Sequence, residues 1–350
     1  MVGRATFAIP GDLETPTGGY RYAGHVIASL RTRGWLIDVI DLGAGFPHVS
    51  AEQRALARAR LLAAPTNAPV VVDGLALGVL PDEAREASRS QCLIGLVHHP
   101  LALETGLAPA AAGALRASEI AALAATRHVI TTDDSTAMIL AADYGVARQR
   151  ITVALPGAPC VTPATGSDDG TVRMLAVGAV VPRKGYDLLV DALADLRDLP
   201  WHLTIVGDRT RNLETATALD RLIDRVQLGG RVICTGAVTT ARLEALYRGA
   251  DLFVQSSWFE GYGMAVADAI AYGLPVVATR TGATGRNVSS QAGVLIAPGD
   301  RAALAAAMRV LVGDPDLRAS CGAAARSAAQ RLPGWGDTAR AFETVLTRGL

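Results

Sequence analysis

The stretch Ser256-Ser257-Trp258-Phe259-Glu260-Gly261-Tyr262-Gly263-Met264-Ala265-Val266-Ala267-Asp268-Ala269-Ile270-Ala271-Tyr272-Gly273-Leu274-Pro275-Val276-Val277 decides the fold. An apolar run at 251–255 precedes it, so a strand ends near Gln255. Gly261 and Gly263 loosen a turn, a helix begins about Met264, and Gly273-Leu274-Pro275 stops that helix before the next apolar run. Strand, glycine-rich turn, helix and strand in this order read as two parallel strands joined by a crossover helix.

The alternation continues in both directions. Around that unit we expect strands at 173–178, 202–206, 231–235, 251–255, 275–278 and 293–296. Helices should fall near 186–196, 212–227, 240–249, 264–272, 301–312 and 316–330. Upstream, 156–170 is rich in Pro, Gly and small polar residues, the composition of a linker. Before it come strands at 5–10, 35–42, 69–72, 92–97, 128–131 and 151–155, with helices between them. The expected organisation is a first domain at 1–155, a linker at 156–170, a second domain at 171–334 and a last amphipathic helix at 335–350 with Ala339, Phe342, Val345 and Leu346 on one face. The fold class is α/β, two doubly wound Rossmann-like domains. Ligands of such sheets bind outside the carboxyl ends of the strands, which places the expected site in a cleft between the domains.

Composition narrows the function. The chain has 350 residues, 50% hydrophobic, and 33 basic against 33 acidic side chains. Zero net charge argues against a nucleic-acid surface and against tight docking to anionic lipid. Arg54, Leu56, Arg58, Arg60, Leu61 and Leu62 could form a basic amphipathic face for a membrane, but an ordinary solvated helix is the plainer reading. Cys92, Cys160, Cys234 and Cys321 are scattered without a C-x-x-C pair, so neither disulfides nor structural zinc are supported. The N-terminal apolar run is too short for a signal peptide and no apolar run of membrane length follows, so the expected location is cytoplasmic.

Among 33 cationic residues there is a single lysine, Lys184. Arginine offers a planar fork and lysine a compact point charge, so a lone lysine invites a chemical reason, although chance would also produce one. Arg183 and Lys184 follow the strand at 173–178 and precede a helix, an arrangement suited to a diphosphate. Gly18-Gly19, between the first strand and its helix, could meet a phosphate with backbone amides or merely allow a tight turn. No G-x-G-x-x-G spacing is present there, which lowers the case for a dinucleotide oxidoreductase. Gly207 ends the strand at 202–206, where an ordinary Gly-Asp turn is the plainer reading. His98 and His99 sit at the carboxyl end of a central strand, the best placed of the 6 histidines for hydrogen bonding or proton handling.

Two carboxylates flank the helix start near Met264. On one helix, Glu260 and Asp268 would lie about 12 Å apart along the axis and roughly 80° apart in azimuth. With Glu260 in the loop instead, the two can address opposite ends of one elongated ligand whose phosphates lie at the helix N-terminus. Other acidic pairs read as structural: Asp133-Asp134 and Asp314-Pro315-Asp316 as helix caps, Asp168-Asp169 in the linker.

These residues together resemble the retaining glycosyltransferases of family 4, which have the GT-B fold. Gly18-Gly19 matches the family's Gly-Gly loop, Arg33-Gly34 its Arg-Gly before the second strand, His98 its N-domain histidine with His99 as competitor, and Lys184-Gly185 its Lys-Gly. Glu260 through Asp268 matches its Glu-x7-Glu element, and Glu119 stands where members often have Glu. The resemblance implies transfer of a sugar from a nucleotide donor, UDP- or GDP-linked by analogy, to an unidentified hydroxyl acceptor with retention of configuration and no metal or other cofactor. It assigns the diphosphate to Lys184, helped by Gly18 and Gly19. Glu260 would meet the transferred sugar and Asp268 the ribose. Gly261 and Tyr262 belong to the same loop, and the amides of Gly263, Met264, Ala265 and Val266 would meet sugar and phosphate. His98 would contact the sugar and line the acceptor side, and the last helix should cross back to the first domain. Two departures stand out. Asp268 is one methylene shorter than the usual Glu, and Ala179 replaces an Arg found in many members, a charge that Arg183 could supply. A nucleotide-sugar epimerase of the same fold, or a non-catalytic sugar-nucleotide binding protein, are the competing expectations.

Overall fold

The computed structural model describes residues 3–15, 17–282 and 284–348. They form two compact units, one made of 3–15, 19–157 and 333–348, the other of 17–18 and 158–332.

The first unit runs β1 (Arg4–Ile9), α1 (Gly18–Thr32), β2 (Leu36–Asp41), α2 (Ala51–Leu62), β3 (Val70–Asp73) and α3 (Gly74–Leu77). It continues with α4 (Pro81–Ala87), β4 (Leu93–Val97), α5 (Pro109–Ala124), β5 (His128–Thr131), α6 (Asp134–Asp143) and β6 (Ile151–Val153). All strands pair parallel in the order β2-β1-β3-β4-β5-β6. β3 and β4 read VVVD and LIGLV and are buried on both faces, as helix-covered parallel strands must be. Asp133 caps α6, accepting from Thr136 N at 2.9 Å and Thr136 Oγ1 at 2.7 Å.

The second unit runs β7 (Val172–Val177), α7 (Tyr186–Leu193), β8 (Trp201–Val206), α8 (Leu213–Arg225), β9 (Val232–Gly236), α9 (Thr240–Arg248) and β10 (Leu252–Gln255). It continues with α10 (Met264–Ala271), β11 (Val276–Thr279), α11 (Thr284–Asn287), β12 (Gly293–Ile296), α12 (Arg301–Gly313) and α13 (Pro315–Ala329). Its order is β12-β11-β10-β7-β8-β9, again parallel. Leu189, Leu219 and Leu304 from α7, α8 and α12 fill one face of the sheet, and Tyr247, Ile270 and Ala328 from α9, α10 and α13 fill the other. Asp314 caps α13 with Pro315 at the first helical position, as expected.

One feature was not readable from composition. The stretch 156–170 is free of helix and strand but is no loose tether. Ala164 N donates to Tyr272 O at 2.7 Å, Thr165 N to Arg248 O at 2.9 Å and Ser167 N to Asp251 Oδ1 at 2.8 Å, fastening it to the second unit. A backbone that runs beside a helix end finds partners there and is not left to water. The last helix, α14 (Trp335–Arg348), completes the first unit. Phe342 is fully buried and stacks on Phe7 at 5.9 Å, Thr338 Oγ1 donates to Leu155 O at 2.7 Å, and Glu343 accepts from Arg33 at 2.7 Å and Trp35 Nε1 at 3.0 Å.

Candidate active site

In the second unit the chain reverses direction of winding at β7, whose neighbours are β10 and β8. A crevice opens at such a switch point, outside the strand ends. The loops that follow β7 and β10 therefore flank it, and they carry Arg183-Lys184 and Glu260. Lys184 Nζ forms an ion pair with Glu260 Oε1. Arg183 Nη1 lies 3.3 Å from the same oxygen, and Ser257 Oγ donates to it at 2.8 Å.

The backbone holds the two loops together. Arg183 O accepts from Trp258 N at 2.8 Å, Arg183 Nη1 donates to Phe259 O at 2.8 Å, and Ser256 Oγ donates to Gly185 O at 2.7 Å. Gly185 sits at φ 61°, and a side chain there would strike the carbonyl oxygen of Ser256, so only glycine lets the loops approach. From beneath, Thr279 Oγ1 donates to Ser257 O at 2.6 Å.

Glu260 is only 8% exposed. Burial is the largest single influence on its carboxyl and opposes ionisation. Lys184, Arg183 and Ser257 together overcome it and hold Glu260 down at about 2. The two cations expected to await a diphosphate are thus turned onto this carboxylate, because three such groups in one dry pocket must compensate one another. Two positive charges against one negative leave the cluster with a net positive charge.

Glu260 lies in the loop, not on α10, so the two acids are not on one helix. Asp268 lies inside α10, 3% exposed. Gly263 caps the helix at φ 76°, and a Cβ there would come within 3.0 Å of Thr284 Cγ2. The expected set of donor amides needs one correction: Val266 N donates to Gly263 O at 3.0 Å, so it closes the first turn, and the helix start presents Gly263, Met264 and Ala265. Gly261 and Tyr262 bridge Glu260 to this start, with Tyr262 O accepting from Asn287 Nδ2 at 3.1 Å. Burial, then the Asp268 charge, push the Tyr262 phenol up to about 12, so it stays neutral. The Gly207 amide donates to Gly236 O at 3.0 Å, and Asp208 accepts from Thr210 N at 2.7 Å in a local turn.

In the first unit the switch point lies at β1, between β2 and β3, and the same logic applies. Gly18 and Gly19 open α1, and a Cβ on Gly19 would touch the His98 ring at 3.5 Å. His98, just past β4, meets the edge of Tyr22 with ring centroids 5.2 Å apart. His99 Nε2 lies 3.8 Å from Glu104 Oε2. Glu119 anchors the loop after these histidines by accepting from Leu101 N at 2.6 Å and Ala102 N at 3.1 Å, while burial raises its carboxyl. Sequence reasoning missed Asp73, which ends β3 with Oδ2 3.6 Å from His98 Nε2. It also missed Ser257; its signal was only proximity to Glu260.

The proposed basic face on α2 is neutralised: Arg54 pairs with Glu83 at 3.1 Å, Arg60 with Asp41 at 3.1 Å, and Arg58 with Glu86. Among the described residues no helix is long and apolar enough to cross a membrane, and no three His, Cys, Asp or Glu side chains gather at metal-ligating spacing.

Two doubly wound parallel sheets, each with its candidate residues at a switch point, give the chain the GT-B fold. The family model of the glycosyl transferases group 1 matches residues 162–328, within the second unit. The chain is 34% identical over 227 residues to a D-inositol 3-phosphate glycosyltransferase of Pseudarthrobacter chlorophenolicus, covering 61% of this chain and 53% of that one. It spans about half the length of the curated relatives it matches. Among solved structures it is similar to a sucrose-phosphate synthase from Thermosynechococcus elongatus, with a TM-score of 0.82 and 18% identity over 99% of this chain and 98% of that one. It is also similar to Anabaena HepE in complex with UDP and glucose, with a TM-score of 0.79 and 18% identity over 99% and 100% of the two chains.

Proposed function

We propose that the chain transfers a sugar from a nucleoside-diphosphate sugar to a hydroxyl acceptor, with retention of configuration and without a metal or other cofactor. The observation that carries this reading is the cluster of Lys184, Arg183 and Glu260 at the switch point of the second unit, next to the start of α10. A diphosphate there would be met by the net positive charge and by the orphan amides of Gly263, Met264 and Ala265. As the sugar–phosphate bond lengthens, negative charge grows on the leaving diphosphate and positive charge on the sugar. Lys184 stabilises the first and Glu260, held ionised, the second. Asp268 would take the ribose hydroxyls. Gly18 and Gly19 would help with the diphosphate, and His98 would contact the sugar and line the acceptor side.

UDP and GDP sugars are the first donors to try. A thermal-shift screen against UDP, GDP, ADP and TDP identifies the nucleotide, and release of the matching nucleoside diphosphate from its sugar measures turnover. Glu260→Ala should abolish release while retaining a nucleotide shift. The proton NMR coupling of the anomeric centre in the product reports retention, and turnover in EDTA reports metal independence. Stabilisation by no nucleotide would overturn the reading.

A further inference from the structure

We propose that Asp73 is a positioning residue that fixes the tautomer of His98, holding the proton on Nε2 so that Nδ1 offers its lone pair to a ligand hydroxyl; for the identity of that hydroxyl as a sugar acceptor, the inference rests on the function proposed above. Asp73 ends β3, where it pairs in register with Leu96, and His98 directly follows the neighbouring strand β4. Asp73 is 6% exposed, and its two oxygens are divided. Oδ1 caps α3 by accepting from Leu75 N at 2.8 Å, while Oδ2 faces His98 Nε2 at 3.6 Å.

His98 Nε2 is buried and has no hydrogen-bond partner among the described residues. The Cδ2–Nε2 edge of the ring is the one that a Cβ on Gly19 would touch. The His98 side chain is nonetheless a quarter exposed. A carboxylate can only accept, so the imidazole nitrogen facing it favours the protonated form and the other nitrogen becomes the acceptor. A separation of 3.6 Å is too long for a hydrogen bond. Such contacts are often long without ligand and tighten in the complex. Neither Tyr22, which meets the ring edge-on, nor the Gly19 backbone supplies a competing acceptor at Nε2.

Asp73→Asn is the discriminating change. Asparagine caps helices about as well as aspartate, so α3 keeps its cap through the amide oxygen. The amide NH2 is then left facing Nε2 and donates to it, which moves the imidazole proton to Nδ1. The test is nitrogen-15 NMR of histidine-labelled protein at pH 8, with His98→Gln identifying the His98 resonances. Wild type should show His98 as the Nε2–H tautomer, and Asp73→Asn should shift it to Nδ1–H with little change in melting temperature. Once a donor is known, the variant should lose about ten- to hundredfold in kcat on the acceptor with the nucleotide shift intact. An unchanged His98 tautomer in Asp73→Asn overturns the inference whatever the reaction. An altered tautomer in a protein that binds no nucleotide leaves the positioning role standing and removes only the glycosyltransferase reading.

Discussion

Lys184 and Glu260, 76 residues apart, meet as a largely buried ion pair across the boundary between β7 and β10. The lone lysine of the chain therefore has a definite partner, and each charge depends on the other. Removing one member of a buried pair leaves its partner uncompensated, at a cost of about 3–5 kcal/mol. Lys184→Ala should lower the melting temperature and erase the nucleotide-induced shift. A variant with wild-type stability and an intact shift would remove Lys184 from the site.

The depressed carboxyl of Glu260 makes a pH prediction. Its folded value of about 2 lies below the ordinary 4.5, so its stabilisation is full above pH 4.5 and fades as pH falls toward 2. The difference is about 3 kcal/mol. Denaturant midpoints of wild type and Glu260→Gln should consequently converge on acidification through that window. Parallel curves would show that the carboxylate is not held by its cations.

Gly263 tests the helix start. Alanine at φ 76° costs about 1–2 kcal/mol, and its methyl would press on Thr284. Gly263→Ala should weaken nucleotide binding in calorimetry more than it lowers stability, since the amides of Met264 and Ala265 would be displaced. Undiminished affinity would place the phosphates elsewhere.

Phe342 tests the last helix. Truncating a fully buried aromatic costs about 3–5 kcal/mol. Limited proteolysis of Phe342→Ala should open new cleavage sites within 19–157 before 158–332, because Phe7 and Tyr22 lose their packing partner. A cleavage map like that of wild type would mean α14 contributes little.

The strands were legible because parallel strands covered on both faces leave short, continuous apolar runs such as VVVD and LIGLV, and the β10–α10 loop was legible because its glycines and the following Gly-Leu-Pro punctuate it. Glu260 and Lys184 could be singled out, one by its place before a helix, the other by being alone. What stayed hidden was contact between distant segments. Asp73 reads as an ordinary strand end before Gly74, and nothing in its spacing announces that its carboxylate comes to face His98 across the neighbouring strand. Nor could composition show that Arg183 would turn onto Glu260, since that follows from three charges sharing one dry pocket.

The first unit is built from both ends of this sequence. On the ribosome, β1 to β6 emerge long before α14, and Phe7 must wait for Phe342 through the synthesis of everything between. The second unit is contiguous apart from 17–18 and can mature in that interval, so it is expected to become native first. The other half stays open to chaperones and proteases until translation reaches α14.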